Sequence, residues 1–255
     1  MTQHDAPQDD APQPDAPQPE APEAHQHLRN DLSIDQHLAM KSAATRLEKD
    51  FDGIIGAETI ERFLHSSYGQ FAGRASIPNF LPLLAERFTR QRLRALARVE
   101  YKHHDGKPTV LFLCTHNAGR SQMAMGYFTQ MAGDAAVAWS GGSEPGNEVN
   151  PAAVAVMAEC GIDIAREYPK PWTDEIVQAA DVVVSMGCGD ACPVFPGRRY
   201  EEWKLDDPAG QRIDDVRPIR DEIERRIRKL LVELGVPVNE SETCISENCN
   251  EETLR

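Results

Sequence analysis

No apolar run in the sequence approaches the roughly 20 residues that a membrane span requires, so no membrane role is expected. The first residues lack the basic and apolar regions of a signal peptide, which makes the cytoplasm the expected compartment. Positive charge is scarce. Against 41 Asp and Glu stand 27 Lys and Arg, and the formal net charge of −14 argues against broad binding to nucleic acid or anionic membranes. Cysteine is sparse too, with six in 255 residues. In a reducing compartment these are candidate ligands or reactive thiols before they are structural staples.

Apolar residues are almost missing from 1–28, where Asp-Ala-Pro-Gln recurs with small variations. Proline blocks helices and central strands, and there is little to bury, so this segment reads as a disordered acidic tail. A Pro-rich docking ligand is the other reading of such a composition.

Residues 29–101 read as a three-helix bundle. Ser33 and Gln36 form a capping-box pattern, followed by Met40, Ala44, Leu47 and Phe51 at helical spacing. Ile60, Phe63, Leu64 and Phe71 suggest a second helix. Asn79 is a candidate cap for a third, with Pro82 in its first turn. Arg87, Arg90, Arg92, Arg94 and Arg98 make that helix basic, and a solvated face is the expected reason. So few helices give a thin core, which points to partner contacts and to a homodimer through this segment.

Residues 106–236 change character. "TVLFLC", "AVAWSGGS" and "ADVVVSMG" are buried-strand runs, and helical patterns lie between and after them. Asn150 before Pro151 is a helix start. Such alternation predicts an α/β fold with a four-stranded parallel sheet flanked by helices. Active sites in such sheets lie beyond the carboxyl ends of strands. Cys114 ends the first strand, and Cys188 follows a later one.

The loop from Cys114 to Arg120 leads from strand to helix. Its amides, from Thr115, His116, Asn117, Ala118 and Gly119 onward, can converge on a tetrahedral oxyanion at a helix N-terminus. Arg120 can fork two donors onto the same anion. Asn117 tolerates unusual backbone angles, and Ser121 can donate a hydrogen bond to sulfur. The same positive field favours a Cys114 thiolate nucleophile. Displacing an oxygen also needs an acid, and Asp207, held before Pro208, is the candidate.

With these residues in view, residues 108–234 resemble the arsenate reductases built on the low-molecular-weight phosphotyrosine phosphatase fold. "CTHNAGRSQMA", "NPAAVAVM", "VVVSMGCGDACP" and "EEWKLDDPAG" carry the resemblance. The segment "AETIERFLHSSYGQFA", with "LPLLAERFTRQRLRALA" after it, resembles an N-terminal three-helix domain of some actinobacterial members. The resemblance implies that Cys114 attacks arsenate, that Asp207 protonates the leaving hydroxide, and that Cys188 and Cys192 serve as second and third thiols. It implies thioredoxin as external reductant, with phosphate and sulfate as competing anions. Coupling to mycothiol and mycoredoxin, and a protein-tyrosine phosphatase activity, are the alternatives. Neither a bound cofactor nor a metal is expected. Staphylococcal-type members hold potassium with a glutamate where this chain has Met125, and carry a cysteine where it has Gly119. Cys160 reads as a small buried residue. Residues 237–255 read as a flexible tail in which Cys244 and Cys249 either bind arsenite, extend the relay, or do neither.

Overall fold

The computed structural model describes residues 32–73, 80–101, 105–187 and 194–239. Three helices come first: α1 (Ile34–Asp50), α2 (Ala57–Ala72) and α3 (Leu81–Glu100). The Ser33 hydroxyl accepts from the Gln36 amide, and the Gln36 side chain returns to the Ser33 amide, so the capping box forms as expected. Phe80 caps α3, Pro82 lies in its first turn, and Asn79 falls outside the described residues.

Strand β1 (Thr109–Cys114) then opens the sheet, followed by α4 (Arg120–Ala132), β2 (Val137–Gly142), α5 (Pro151–Ala158), α6 (Asp174–Ala179), β3 (Val182–Ser185), β4 (Arg199–Glu202) and α7 (Ile213–Glu233). The strand order is β2-β1-β3-β4 and every pairing is parallel. Helix α4 ends at Gly133, whose φ of 51° suits glycine. Asn150 caps α5 by accepting from the amides of Ala152 and Ala153. Helix α7 runs from Ile213 with Pro218 inside its second turn, where the missing N–H removes one helical hydrogen bond.

All six residues of β1 are buried, since both faces of the sheet are covered. Val110, Phe112 and Cys114 point to one side, into a core with α4, α5 and α7. Leu111 and Leu113 point to the other, into a core that includes α6 and all three N-terminal helices. Met40, Leu47, Ile60, Leu64, Phe88 and Leu93 therefore share one apolar cluster with Trp139, Ile176 and Val183.

The N-terminal helices thus form a layer against the sheet side of the chain. Their thin core is supplemented by the αβ part, and the apolar stripes are covered within the chain. Of the five arginines of α3, Arg87 and Arg94 are exposed, but Arg90, Arg92 and Arg98 do not form a solvated face. Arg92 lies 2.6 Å from the Glu175 carboxylate on α6 and also reaches the hydroxyls of Ser66 and Ser67. Arg98 donates to Asp181 and to the Thr109 hydroxyl. Arg90 pairs with Asp50 and Glu86. Ile34, Leu38, Phe80 and Leu83 remain exposed on the helical layer.

Candidate active site

The carboxyl end of β1 delivers Cys114, 2 % exposed, to the floor of a loop that runs into α4. Its Sγ is 2.9 Å from the Ser121 hydroxyl. That hydroxyl accepts from the Asn117 side-chain amide at 2.8 Å. Ser121 therefore keeps its own proton for donation, and the sulfur is the acceptor within reach.

Asn117 adopts φ +47°, the one positive φ of a non-glycine residue among the described residues. Several hydrogen bonds hold it there. Its side-chain oxygen accepts from the Lys170 amide at 3.0 Å and from the Gln122 amide group at 3.2 Å. Its carbonyl accepts from Gln122 at 2.9 Å. Such strain persists only where surroundings over-determine it, as they do here.

Arg120, buried at 7 % exposure, begins α4. Its guanidinium donates to the Asp207 carboxylate at 2.6 Å and to the Leu205 carbonyl at 3.4 Å. The other Asp207 oxygen accepts from the Ala209 amide. Pro208 packs so tightly on the loop that a Cβ at Gly119 would lie 2.5 Å from its ring. This close approach explains why the position is glycine. Asn150 ties the parts together, since its side chain donates to the Pro208 carbonyl and its amide to the Ala118 carbonyl.

The chain leaving β3 arrives at the same place. The Thr115 hydroxyl donates to the Gly187 carbonyl at 2.9 Å, and a Cβ at Gly187 would lie 2.9 Å from the Arg120 guanidinium. Cys188 follows directly in sequence, but Cys188, Cys192, Cys244 and Cys249 all lie outside the described residues. The His116 ring is exposed and 3.0 Å from the Glu144 carbonyl. Cys160 is buried in the core, as expected, with its Sγ 3.1 Å from the Tyr127 hydroxyl.

Three supporting residues escaped the sequence reading: Gln122, Asn150 as a bridge, and Lys170. Lys170 is 3 % exposed, and its ammonium donates to the Ser140 hydroxyl at 3.0 Å. Burial pushes its pKa down to about 8. Its position between Pro169 and Pro171 is the only local signal that it serves a fixed geometry.

Residues 109–240 match the family described as low molecular weight phosphotyrosine protein phosphatase. Residues 40–97 match the protein-tyrosine-phosphatase-like N-terminal domain. Arsenate reductase 2 of Staphylococcus haemolyticus is 40% identical over 125 residues, which are 48% of this chain and 94% of that protein. The arsenate reductase of Staphylococcus aureus is 38% identical over 127 residues, 48% of this chain and 95% of that protein. A solved structure of a thioredoxin-dependent arsenate reductase from Corynebacterium glutamicum superposes with a TM-score of 0.69 at 40% identity, covering 77% of this chain and 96% of that one. The chain belongs to the low-molecular-weight phosphotyrosine protein phosphatase family, in its arsenate reductase group, with the phosphatase-like N-terminal domain in front.

Proposed function

We propose that the protein reduces arsenate to arsenite with Cys114 as nucleophile and thioredoxin as the final reductant. The observation that carries this reading is the loop between β1 and α4, with Cys114 Sγ 2.9 Å from the Ser121 hydroxyl and Arg120 ion-paired to Asp207 at 2.6 Å. The amides of residues 115–121 and the Arg120 fork bind the tetrahedral anion. Phosphate and sulfate share its shape and charge and compete. Cys114 attacks arsenic, and Asp207, half exposed beside Arg120, delivers a proton so that the leaving hydroxide departs as water.

Reduction then needs two electrons. The Cys188 thiolate attacks Cys114 Sγ, the sulfur–arsenic bond breaks, and its electron pair stays on arsenic, releasing arsenite. Cys192 attacks Cys188 in turn and frees Cys114. Thioredoxin reduces the resulting Cys188–Cys192 disulfide. The contact of Gly187 with the loop supports Cys188 as the second thiol, and the thioredoxin-dependent relative from Corynebacterium glutamicum supports the choice of reductant. Thiols that must be re-reduced each cycle suit the cytoplasm. The exposed Ile34, Leu38, Phe80 and Leu83 are the surface available to a homodimer through the helical layer, and sedimentation of a Leu38→Glu variant tests it.

Arg120→Lys keeps the charge and loses the planar fork. Arsenate turnover with thioredoxin and its reductase should fall about a hundredfold, the size of losing one charge-assisted bond of roughly 3 kcal/mol. Near-normal turnover in that variant would sink the assignment. Mass spectrometry of Cys192→Ser after arsenate should find a Cys114–Cys188 disulfide. Turnover of the parent protein with a small thiol but not with thioredoxin favours mycothiol-type coupling instead.

A further inference from the structure

The anion loop does not stand on the αβ part alone. Residues 166–172 form a strip that lies between it and the helical layer. On its inner side, the Lys170 amide donates to the Asn117 side-chain oxygen at 3.0 Å, and the Tyr168 carbonyl accepts from Gln122 at 3.2 Å. The Lys170 carbonyl accepts from the Gly142 amide at the end of β2. A Cβ at Gly142 would sit 2.6 Å from the Thr115 carbonyl, so the β2 terminus itself backs the loop.

The outer side of the strip is gripped by helices. The Phe71 ring of α2 meets the Tyr168 ring edge-on, with centroids 5.7 Å apart. The Arg87 guanidinium of α3 stands 4.8 Å from the same ring's centroid and donates to the Arg166 carbonyl at 3.0 Å. The Lys170 ammonium also faces this ring, at 4.9 Å from its centroid. One aromatic side chain thus joins the helical layer to the residue whose amide holds Asn117 at positive φ.

The geometry points to a positioning role for the helical layer: Phe71 and Arg87 fix Tyr168, and Tyr168 fixes the Lys170 strip that clamps Asn117 in the anion-binding shape. This rests on the reading of the Cys114 loop as the anion site. Asn117 occupies a conformation that costs free energy, so loosening its clamp lets the loop relax away from the shape in which its amides converge. Anion binding then weakens although no group touching the anion has changed. Arg87 is well suited as a probe. It touches neither Cys114, Arg120 nor Asp207, and its side chain is 41% exposed, so its loss leaves the core intact.

The test is calorimetric titration with inorganic phosphate, together with arsenate KM and kcat, on the full chain. Arg87→Ala should raise the phosphate dissociation constant and the arsenate KM about fivefold, the scale of one cation–π contact, with kcat within about twofold of the parent. Arg87→Lys, which keeps a cation over the ring, should recover most of the loss. Phe71→Leu should act in the same direction as Arg87→Ala. Arg46→Ala breaks an ion pair to Glu86 on the same layer without touching Tyr168, and should leave phosphate binding unchanged. Equal weakening in Arg46→Ala and Arg87→Ala would mean general loosening and overturn the proposal. So would parent-like phosphate affinity in both Arg87→Ala and Phe71→Leu. A parent protein that binds no phosphate at all instead overturns the anion-site reading, and the coupling with it.

Discussion

Lys170→Met should make the protein more stable and a poorer catalyst at neutral pH. The folded protein holds this lysine down to about 8 from its ordinary 10.5, with burial the main cause. Glu167 opposes the shift, and Arg87 adds to it. A base whose folded pKa lies below its unfolded value opposes folding while it is charged. At pH 7, a difference of two and a half pH units at about 1.4 kcal/mol each amounts to roughly 3 kcal/mol against the folded state. Methionine fills similar space without charge. It forfeits the hydrogen bond to Ser140, worth about 1 kcal/mol, and a 3.9 Å pairing with Glu167 worth less. The net gain is about 1–2 kcal/mol, or a rise in Tm of roughly 3–6 °C for a chain of this size. Between about pH 8 and 10.5 the unfolded chain binds a proton that the folded chain does not, so parental stability rises through that window relative to the variant. The advantage of methionine should therefore shrink above pH 8 and be lost by about pH 10.5. Thermal melts of both proteins at pH 7, 8.5 and 10 measure this, and groups common to both cancel in the difference. A variant less stable than the parent at pH 7, or a pH-independent difference, refutes the reasoning. Arsenate KM should rise in the same variant, because the ammonium that braces Ser140 and Tyr168 beside the loop is gone.

Two further substitutions probe other parts of the molecule. Asn117→Gly should be more stable than Asn117→Ala by about 1 kcal/mol, since only alanine carries a Cβ penalty at φ +47°; equal denaturation midpoints would contradict the left-handed geometry. Arg92→Met leaves Glu175 without its 2.6 Å partner and should cost about 3 kcal/mol in urea unfolding with kcat nearly unchanged, whereas a loss below about 1 kcal/mol would show that the pair is screened by water.

What the sequence made legible was local. The anion loop lies within eight consecutive residues, and its strand, turn and helix signals adjoin, so Cys114, Asn117, Arg120 and Ser121 could be read together. Capping at Ser33 and Asn150 was equally local. Strand β4 escaped because "RYEE" is a short, polar edge strand without alternation. Helix α6 escaped because its six residues are too few for a period, and its burial of Ile176 and Val177 depends on the layer against which it packs. The arginines of α3 misled for a related reason. A basic face looks solvated until the carboxylates of Asp181 and Glu175, some eighty residues away in sequence, are placed against it. Lys170 was invisible in the same way, because its meaning lies in Asn117, Ser140 and Tyr168 rather than in its neighbours.

The shared core bears on whether the αβ part can stand by itself. Staphylococcal relatives of 125 matched residues do without the helical layer, so the fold does not demand one. In this chain the second sheet face packs against the helical layer. Trp139, Ile176, Val177 and Val183 are buried in a cluster that α1, α2 and α3 help to close. The carboxylates of Glu175 and Asp181 have their arginine partners on α3. Removing residues 1–104 would uncover part of that cluster and take the arginine partners from both carboxylates. Re-exposing three or four large side chains at about 1.5–3 kcal/mol each approaches the whole stability of an ordinary domain. Residues 105–239 expressed alone should therefore be aggregation-prone, bind a hydrophobic dye, and melt at least about 15 °C below the full chain. Adding back residues 32–101 in trans should raise the melting temperature, as any partner that binds only the folded state does. A truncated chain that melts cooperatively within a few degrees of the parent would show that the second face closes without the helices. The route from Arg87 through Tyr168 to Asn117 would then be the surviving reason for the helical layer to sit there.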